Sequence, residues 1–190
     1  MSYRSSLTKG ITVLGIFGVA LLATYYLTNW VINNPEVQSV LAAIGYSGVF
    51  ILALFTGLNP ILPVPAATFT PLFLAAHLSL PLIITALVLG TLTADILGYW
   101  FGHWSKTYVI HAHPKIYKGL QKLYRKHRRL VVPVICFYVA FIPLPNEIFL
   151  LPLAVLGMKL RHLLLPLIIG NIVNQTLLAL GIQNIFWWFG

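Results

Sequence analysis

Acidic residues are nearly missing from this chain: Asp and Glu number 3 among 190 residues, and all charged residues together make up 8%. A soluble domain carries about a quarter charged residues, so a fold bathed in water is excluded. Cysteine is as scarce. The single thiol, Cys136, excludes an intramolecular disulfide and, lying in an apolar run, says nothing about redox compartment. The histidines and this thiol have no spacing typical of a zinc site; His111-Ala112-His113 comes nearest, and neither a metal nor another cofactor is expected.

What the chain has in abundance is apolar residues, 59% of the total, arranged in long runs. Its net charge of +9 would suggest nucleic acid in a soluble protein, but here the basic residues flank apolar spans, which excludes that partner and marks cytoplasmic loops. Arg4 and Lys9 precede an apolar run from Ile11 to about Ile32, too long for a signal-peptide core and followed by no small-x-small cleavage site. Residues 1–34 therefore read as an uncleaved N-terminal transmembrane helix, closed by Asn33-Asn34-Pro35-Glu36.

The apolar stretch 47–78 is interrupted by Asn59-Pro60-Ile61-Leu62-Pro63-Val64-Pro65. Each half is about a dozen residues, too short to cross a hydrocarbon core of about 30 Å, and prolines bar a continuous helix. A re-entrant hairpin is predicted, tolerable at membrane depth only if covered by other helices or lining a polar cavity. Residues 80–102 make a full span with Gly90, Ala94, Gly98 and Gly102 on one stripe, where another helix can approach closely. The hydrophilic stretch 103–129 holds eight of the twelve Lys and Arg. Within it, Ile116, Leu120, Leu123 and Leu130 fall near one helical face among Lys115, Lys118, Lys122, Arg125, Lys126, Arg128 and Arg129, the pattern of an amphipathic helix on an anionic leaflet. Lys118, Lys122, Arg125 and Lys126 are the candidate headgroup contacts; an ordinary positive-inside loop is the plainer alternative. A second hairpin, 130–158, breaks at Pro143-Leu144-Pro145, and 162–182 is the last span. Phe186-Trp187-Trp188-Phe189 makes 183–190 an interfacial aromatic tail.

A shift of 80 residues superposes Pro63-Val64-Pro65 on Pro143-Leu144-Pro145, Phe69 on Phe149, Gly90 on Gly170, Thr91 on Asn171 and Asp95 on Gln175. With both broken stretches as hairpins, all twelve basic residues fall on one side and Glu36 on the other, whereas kinked spanning helices would misplace four. The expected fold class is thus all-α: a polytopic membrane protein with two oppositely oriented re-entrant hairpins and inverted-repeat transmembrane helices, an architecture used by transporters.

Two acids stand inside apolar segments, where an ionised carboxylate costs about 3 kcal/mol or more. Glu147 follows the second proline turn, and Asp95 lies one turn from Thr91. Both are candidates for carrying protons. Pro63, Pro65, Thr91, His103, Pro143, Pro145, Asn146, Asn171, Asn174 and Gln175 are expected to line the surrounding cavity. The bland reading is that the acids and amides only glue helices together by hydrogen bonds.

Gly90 to Gly102 (GTLTADILGYWFG) resembles the Gly-x-x-x-Gly/Ala-Asp-x-x-Gly-Tyr-x-x-Gly segment of the DedA family, also called VTT-domain or SNARE-associated proteins. The first proline turn and Phe141 to Gly157 (FIPLPNEIFLLPLAVLG) are similar to that family's two re-entrant loops, and the resemblance covers roughly 45–182. It implies movement of lipid or lipid phosphate, such as undecaprenyl phosphate or phospholipid, between leaflets, proton-linked in some members and passive scrambling in others. It further implies that Asp95 is the family's aspartate and Glu147 its polar position in the second loop. Departures are clear: Ala66 and Ala67 stand where many members have a glutamate, His103 where an arginine is frequent, and the second loop lacks its arginine. They weigh against anionic headgroup recognition and strict proton coupling.

The expectation is a multi-pass transporter in the plasma (inner) membrane of a prokaryote, its basic loop cytoplasmic, with membrane lipids and a lipid-phosphate substrate as partners and homo-oligomers left open. A small-solute or ion exporter on the same scaffold is the alternative, with a passive scramblase beside it. An enzyme is not expected, because no nucleophile, base and phosphate clamp occur together.

Overall fold

The computed structural model describes the backbone of residues 2–58, 64–142 and 145–189, and side chains within 15–58, 64–142 and 145–185 except those of Ile116 and Arg128. Every regular element among the described residues is helical: α1 (Ser2–Ile32), α2 (Pro35–Gly57), a 3-10 turn (Ala66–Phe69) running into α3 (Thr70–Ala75), α4 (Leu80–Ala112), α5 (Pro114–Phe141), α6 (Glu147–Val155) and α7 (Leu160–Phe189). Four helical stretches are long and apolar enough to cross a membrane: Gly15–Ile32, Pro35–Gly57, Leu80–Ala112 and Leu160–Ile185. Their outward faces carry large apolar side chains such as Leu22, Phe55, Phe101, Leu165 and Leu177. Such a surface belongs to a chain that lies in a membrane.

Helices run further than composition suggested. The first hairpin was expected to begin at Ser47, but α2 starts at Pro35, because Val40 to Ile44 is itself apolar and proline suits a first helical turn. α2 is nonetheless broken at Gly45, whose φ of 57° and ψ of −146° leave about 12 helical residues, 46–57, beyond the kink. The span expected at 80–102 continues to Ala112, making α4 33 residues and about 50 Å long, well beyond an apolar core of about 30 Å. The stretch 103–129 is no loop: it comprises the end of α4 and the first half of α5, turning only around His113. α5 is broken in turn at His127, where basic residues give way to the apolar Arg129–Phe141 segment. The last helix spans Leu160–Phe189 where 162–182 was expected.

Packing follows from small residues. Gly90 lies so close to α2 that an added Cβ would sit 2.5 Å from the Phe50 carbonyl oxygen and 2.6 Å from the Ala53 Cβ. On α7, Gly170 lies against Cys136 and Val139 of α5 in the same manner, and a Cβ added there would sit 2.7 Å from Val139. The two long helices α4 and α7 also pack on each other, and each takes a second, short helical arm: α6 on α4, and the 3-10 turn with α3 on α7. Two cores result. One gathers Val49, Ala53, Ala67, Phe73, Ile83 and Leu87 with Ala179 of α7; the other gathers Ile135, Val139, Leu150, Leu163 and Leu167 with Tyr99 of α4. α1 lies against α3 at the edge of the first.

Features 80 residues apart share detail. α3 ends with the Leu78 N–H donating to Phe73 O and the His77 N–H to Leu74 O; α6 ends with Met158 to Leu153 O and Gly157 to Ala154 O. Both are the six-to-one and five-to-two bonds that close a helix through a left-handed residue. His77 (φ 61°) and Gly157 (φ 79°) occupy that position. α4 and α7 then begin at Leu80 and Leu160.

Candidate functional site

The small-residue stripe on α4 receives two partners. Gly90 and Ala94 take the C-terminal half of α2, whose last residue, Gly57, lies against Ala94. Gly98 and Gly102 take α6: a Cβ on Gly98 would meet the Glu147 side chain at 3.5 Å, and one on Gly102 would meet Leu151 and Ala154. The end of α2 and the start of α6 therefore arrive at neighbouring levels of α4, on either side of Asp95.

Asp95 is 3% exposed. The Asn146 amide donates to its Oδ1 at 2.9 Å and to its Oδ2 at 3.2 Å, and the Asn171 amide donates to Oδ2 at 2.7 Å. Three elements are tied at one carboxylate: α4, the residue preceding α6, and α7. Each amide turns its nitrogen to the acid, because a carboxylate accepts, and so keeps its own carbonyl oxygen for another donor or a cation. Glu147 is the contrasting case. Both its carboxyl oxygens are buried and have no hydrogen-bond partner in the protein. Gln175, one turn beyond Asn171 on α7, is 4% exposed, and its Oε1 likewise has none.

The remaining expected cavity residues divide. Thr91 is buried near Asp95 in sequence, but its hydroxyl donates to Leu87 O and Val88 O of its own helix, so it leaves the acid alone. Asn174 reaches the Ala140 carbonyl on α5 at 3.3 Å, a bond between helices and not to the acid. Pro145 accepts from the Tyr138 hydroxyl at 3.2 Å, which braces the turn before α6, and Tyr138 packs edge-on against Phe149. Pro65 precedes the 3-10 turn as its extended cap. His103 is exposed two turns beyond Asp95 and stacks on Tyr99 at 6.2 Å, while the α4 face that meets α6 carries Gly98 and Gly102. Pro63 and Pro143 lie outside the described residues.

Lys118, Lys122, Arg125 and Lys126 are all exposed on α5. Of the apolar row expected to lie on a leaflet, Leu123 and Leu130 are exposed and Leu120 is half-buried, as are Tyr117, Gln121 and Tyr124. Tyr117, Leu120, Gln121 and Tyr124 are the more covered side of the helix, and Leu123 and Leu130 stand beside the cations on the outer surface.

Two contacts had no sequence signal. The Ser79 N–H donates to the Tyr46 hydroxyl at 3.1 Å, with the Ser79 hydroxyl 3.2 Å away, so the segment 46–79 leaves and returns to one place. The Tyr99 hydroxyl donates to the Met158 carbonyl at 2.7 Å and fixes the end of α6 on α4. Tyrosine and serine are common in apolar runs, and only the fold pairs them. No group of three metal-binding side chains occurs among the described residues. Comparison with protein-family models, curated proteins and solved structures returned no match.

Proposed function

We propose that this protein is a multi-pass membrane transporter of the DedA type that moves lipid or lipid phosphate between leaflets, with proton exchange at Asp95 and Glu147. In this reading 46–79 and 129–158 are re-entrant hairpins entering from opposite faces of a prokaryotic plasma membrane, and the two halves are inverted repeats. The observation that carries it is the convergence on Asp95: the end of one half-length helical arm and the start of another meet on α4 beside a buried acid held by amides of Asn146, at the start of the second arm, and of Asn171 on α7. The closed 46–79 segment and the matching helix ends at His77 and Gly157 support the topology. Glu147, buried without a protein partner beside Gly98, supports a group that exchanges protons, since a carboxylate used only as glue would be bonded.

Passive scrambling is a second reading, favoured by the distance of basic residues from the acids. Lys106 stands about 16 Å further along α4 by helical rise, and Arg161 about 15 Å before Asn171 on α7. The test is leaflet movement in liposomes holding the full chain, with a lipid phosphate and an ordinary phospholipid side by side. Movement of either lipid above that in protein-free liposomes is expected. Asp95→Asn and Glu147→Gln should fold and lose the gradient-dependent part. Retention of downhill movement with weak pH dependence would assign scrambling, and no movement of either lipid would sink the proposal.

A further inference from the structure

The free oxygens around Asp95 have a common sign. Asn146 and Asn171 present nitrogen to the acid, which leaves both carbonyl oxygens as acceptors. Glu147 contributes two buried carboxyl oxygens and Gln175 a buried carboxamide oxygen, none with a partner in the protein. Gln175 follows Asn171 by one turn on the same face of α7. The C-terminal end of α2, which bears negative partial charge, lands on Ala94. Asp95 accepts from Asn146, the residue capping α6, and so answers the positive end of that helix. Glu147, the first residue of α6, shares that positive end, and the nearest Lys or Arg on α4, Lys106, stands about two turns beyond Gly98.

We infer that this enclosed site binds a compact monovalent cation, an alkali-metal ion or a primary ammonium group, through Glu147 and the carboxamide oxygens of Asn146, Asn171 and Gln175. The chemistry selects this class. An anionic phosphate finds no cationic side chain among the groups assembled here and faces two carboxyl groups, which rules it out as the occupant. Hard oxygen donors, several of them neutral, suit a singly charged ion that sheds its water for carbonyl-type ligands. Ion sites built where half-length helices end beside a buried acid follow the same physics. A lipid phosphate, if moved, must be met elsewhere, at the basic surface of α5. The inference concerns binding and does not rest on lipid movement.

The test uses the full chain in phosphatidylcholine nanodiscs at alkaline pH. Sodium, potassium and methylammonium chloride are titrated against choline chloride at constant ionic strength, with melting temperature as readout. A saturable rise with at least one compact cation is expected, since a ligand of the folded state alone stabilises it. Sodium or potassium without methylammonium assigns a metal-ion site; methylammonium assigns an ammonium site. Acidification should shift the midpoint upward by competition for Glu147. Glu147→Gln should abolish the rise. Gln175→Leu, which keeps the acid and stands in if Glu147→Gln does not fold, should weaken binding about tenfold. Equal responses to choline and the compact cations, or a response unchanged in both variants, would overturn the inference.

Discussion

At the scale of single residues, the difference between Asp95 and Glu147 lies in their neighbours. Asp95 accepts from two amides, so removing its carboxylate strands the buried amide of Asn171 and the half-buried one of Asn146. Each unpaired buried group costs about 1–3 kcal/mol, so Asp95→Leu is expected to lower unfolding stability by about that amount or more. Asp95→Asn, which keeps an acceptor oxygen, should lose less; denaturation in detergent of both variants against the parent checks the order. Glu147→Gln should be neutral by the same measure, because no protein bond is lost. The left-handed positions give a second residue-scale pair. His77 sits at φ 61° with a side chain that L residues pay about 1 kcal/mol or more to hold there, whereas Gly157 at φ 79° is strain-free. His77→Gly should therefore raise the melting temperature and Gly157→Ala lower it, and two changes in the same direction would contradict this account of the caps.

At the scale of elements, glycine decides which helices touch. An alanine is favoured over glycine inside a helix by about 1 kcal/mol when nothing stands in its way. Gly181 has no atom within 4 Å of an added Cβ, so Gly181→Ala should stabilise. At Gly90 the same substitution places a methyl 2.5 Å from a backbone oxygen of α2, and an oxygen on a packed helix cannot step aside as a side-chain end can. Gly90→Ala should destabilise by about 1–3 kcal/mol despite its better propensity, as overpacked cores do. Thermal melts of the two variants decide it: stabilisation by both would mean that α2 and α4 do not approach this closely. α5 illustrates a different element-scale division, with half-buried Tyr117 and Tyr124 inward and cations outward. Neutralising Lys118, Lys122, Arg125 and Lys126 together should weaken binding to anionic vesicles by about 1 kcal/mol per charge, an effect that fades with salt. Unchanged vesicle binding would leave these residues as topology determinants.

At the scale of the whole molecule, the decisive property is which side of the membrane each kink faces. Tyr46 and Ser79 meet, so both ends of the segment between them should be reached from one side. With Cys136 replaced, cysteines at positions 47 and 79 should label together with one at 34 and opposite to one at 119. Labelling of 47 and 79 from opposite faces would make α2 an ordinary span and refute the proposed inverted arrangement.

The sequence by itself determined the solvent and the helical class, because the near-absence of charge and the long apolar runs allow nothing else among the described residues. It also located the stripe Gly90–Gly102 and the acids Asp95 and Glu147, since small residues at a helical period and carboxylates in apolar text stand out against a leucine background. Helix ends were less legible: a change from apolar to polar residues marks where the hydrocarbon ends, not where the helix stops, so α4 continues through 103–112 and α2 and α7 also run past their expected limits. Only the tertiary structure decided which groups meet. Asn146 and Asn171 are 51 and 76 positions from Asp95, while Thr91, one turn away, bonds its own backbone. His103, equally polar and nearer in sequence than either amide, points outward because the helix period carries it off the face that α6 covers. Periodicity assigns a residue to a face of its own helix; which helix covers that face is fixed by the packing of the whole chain.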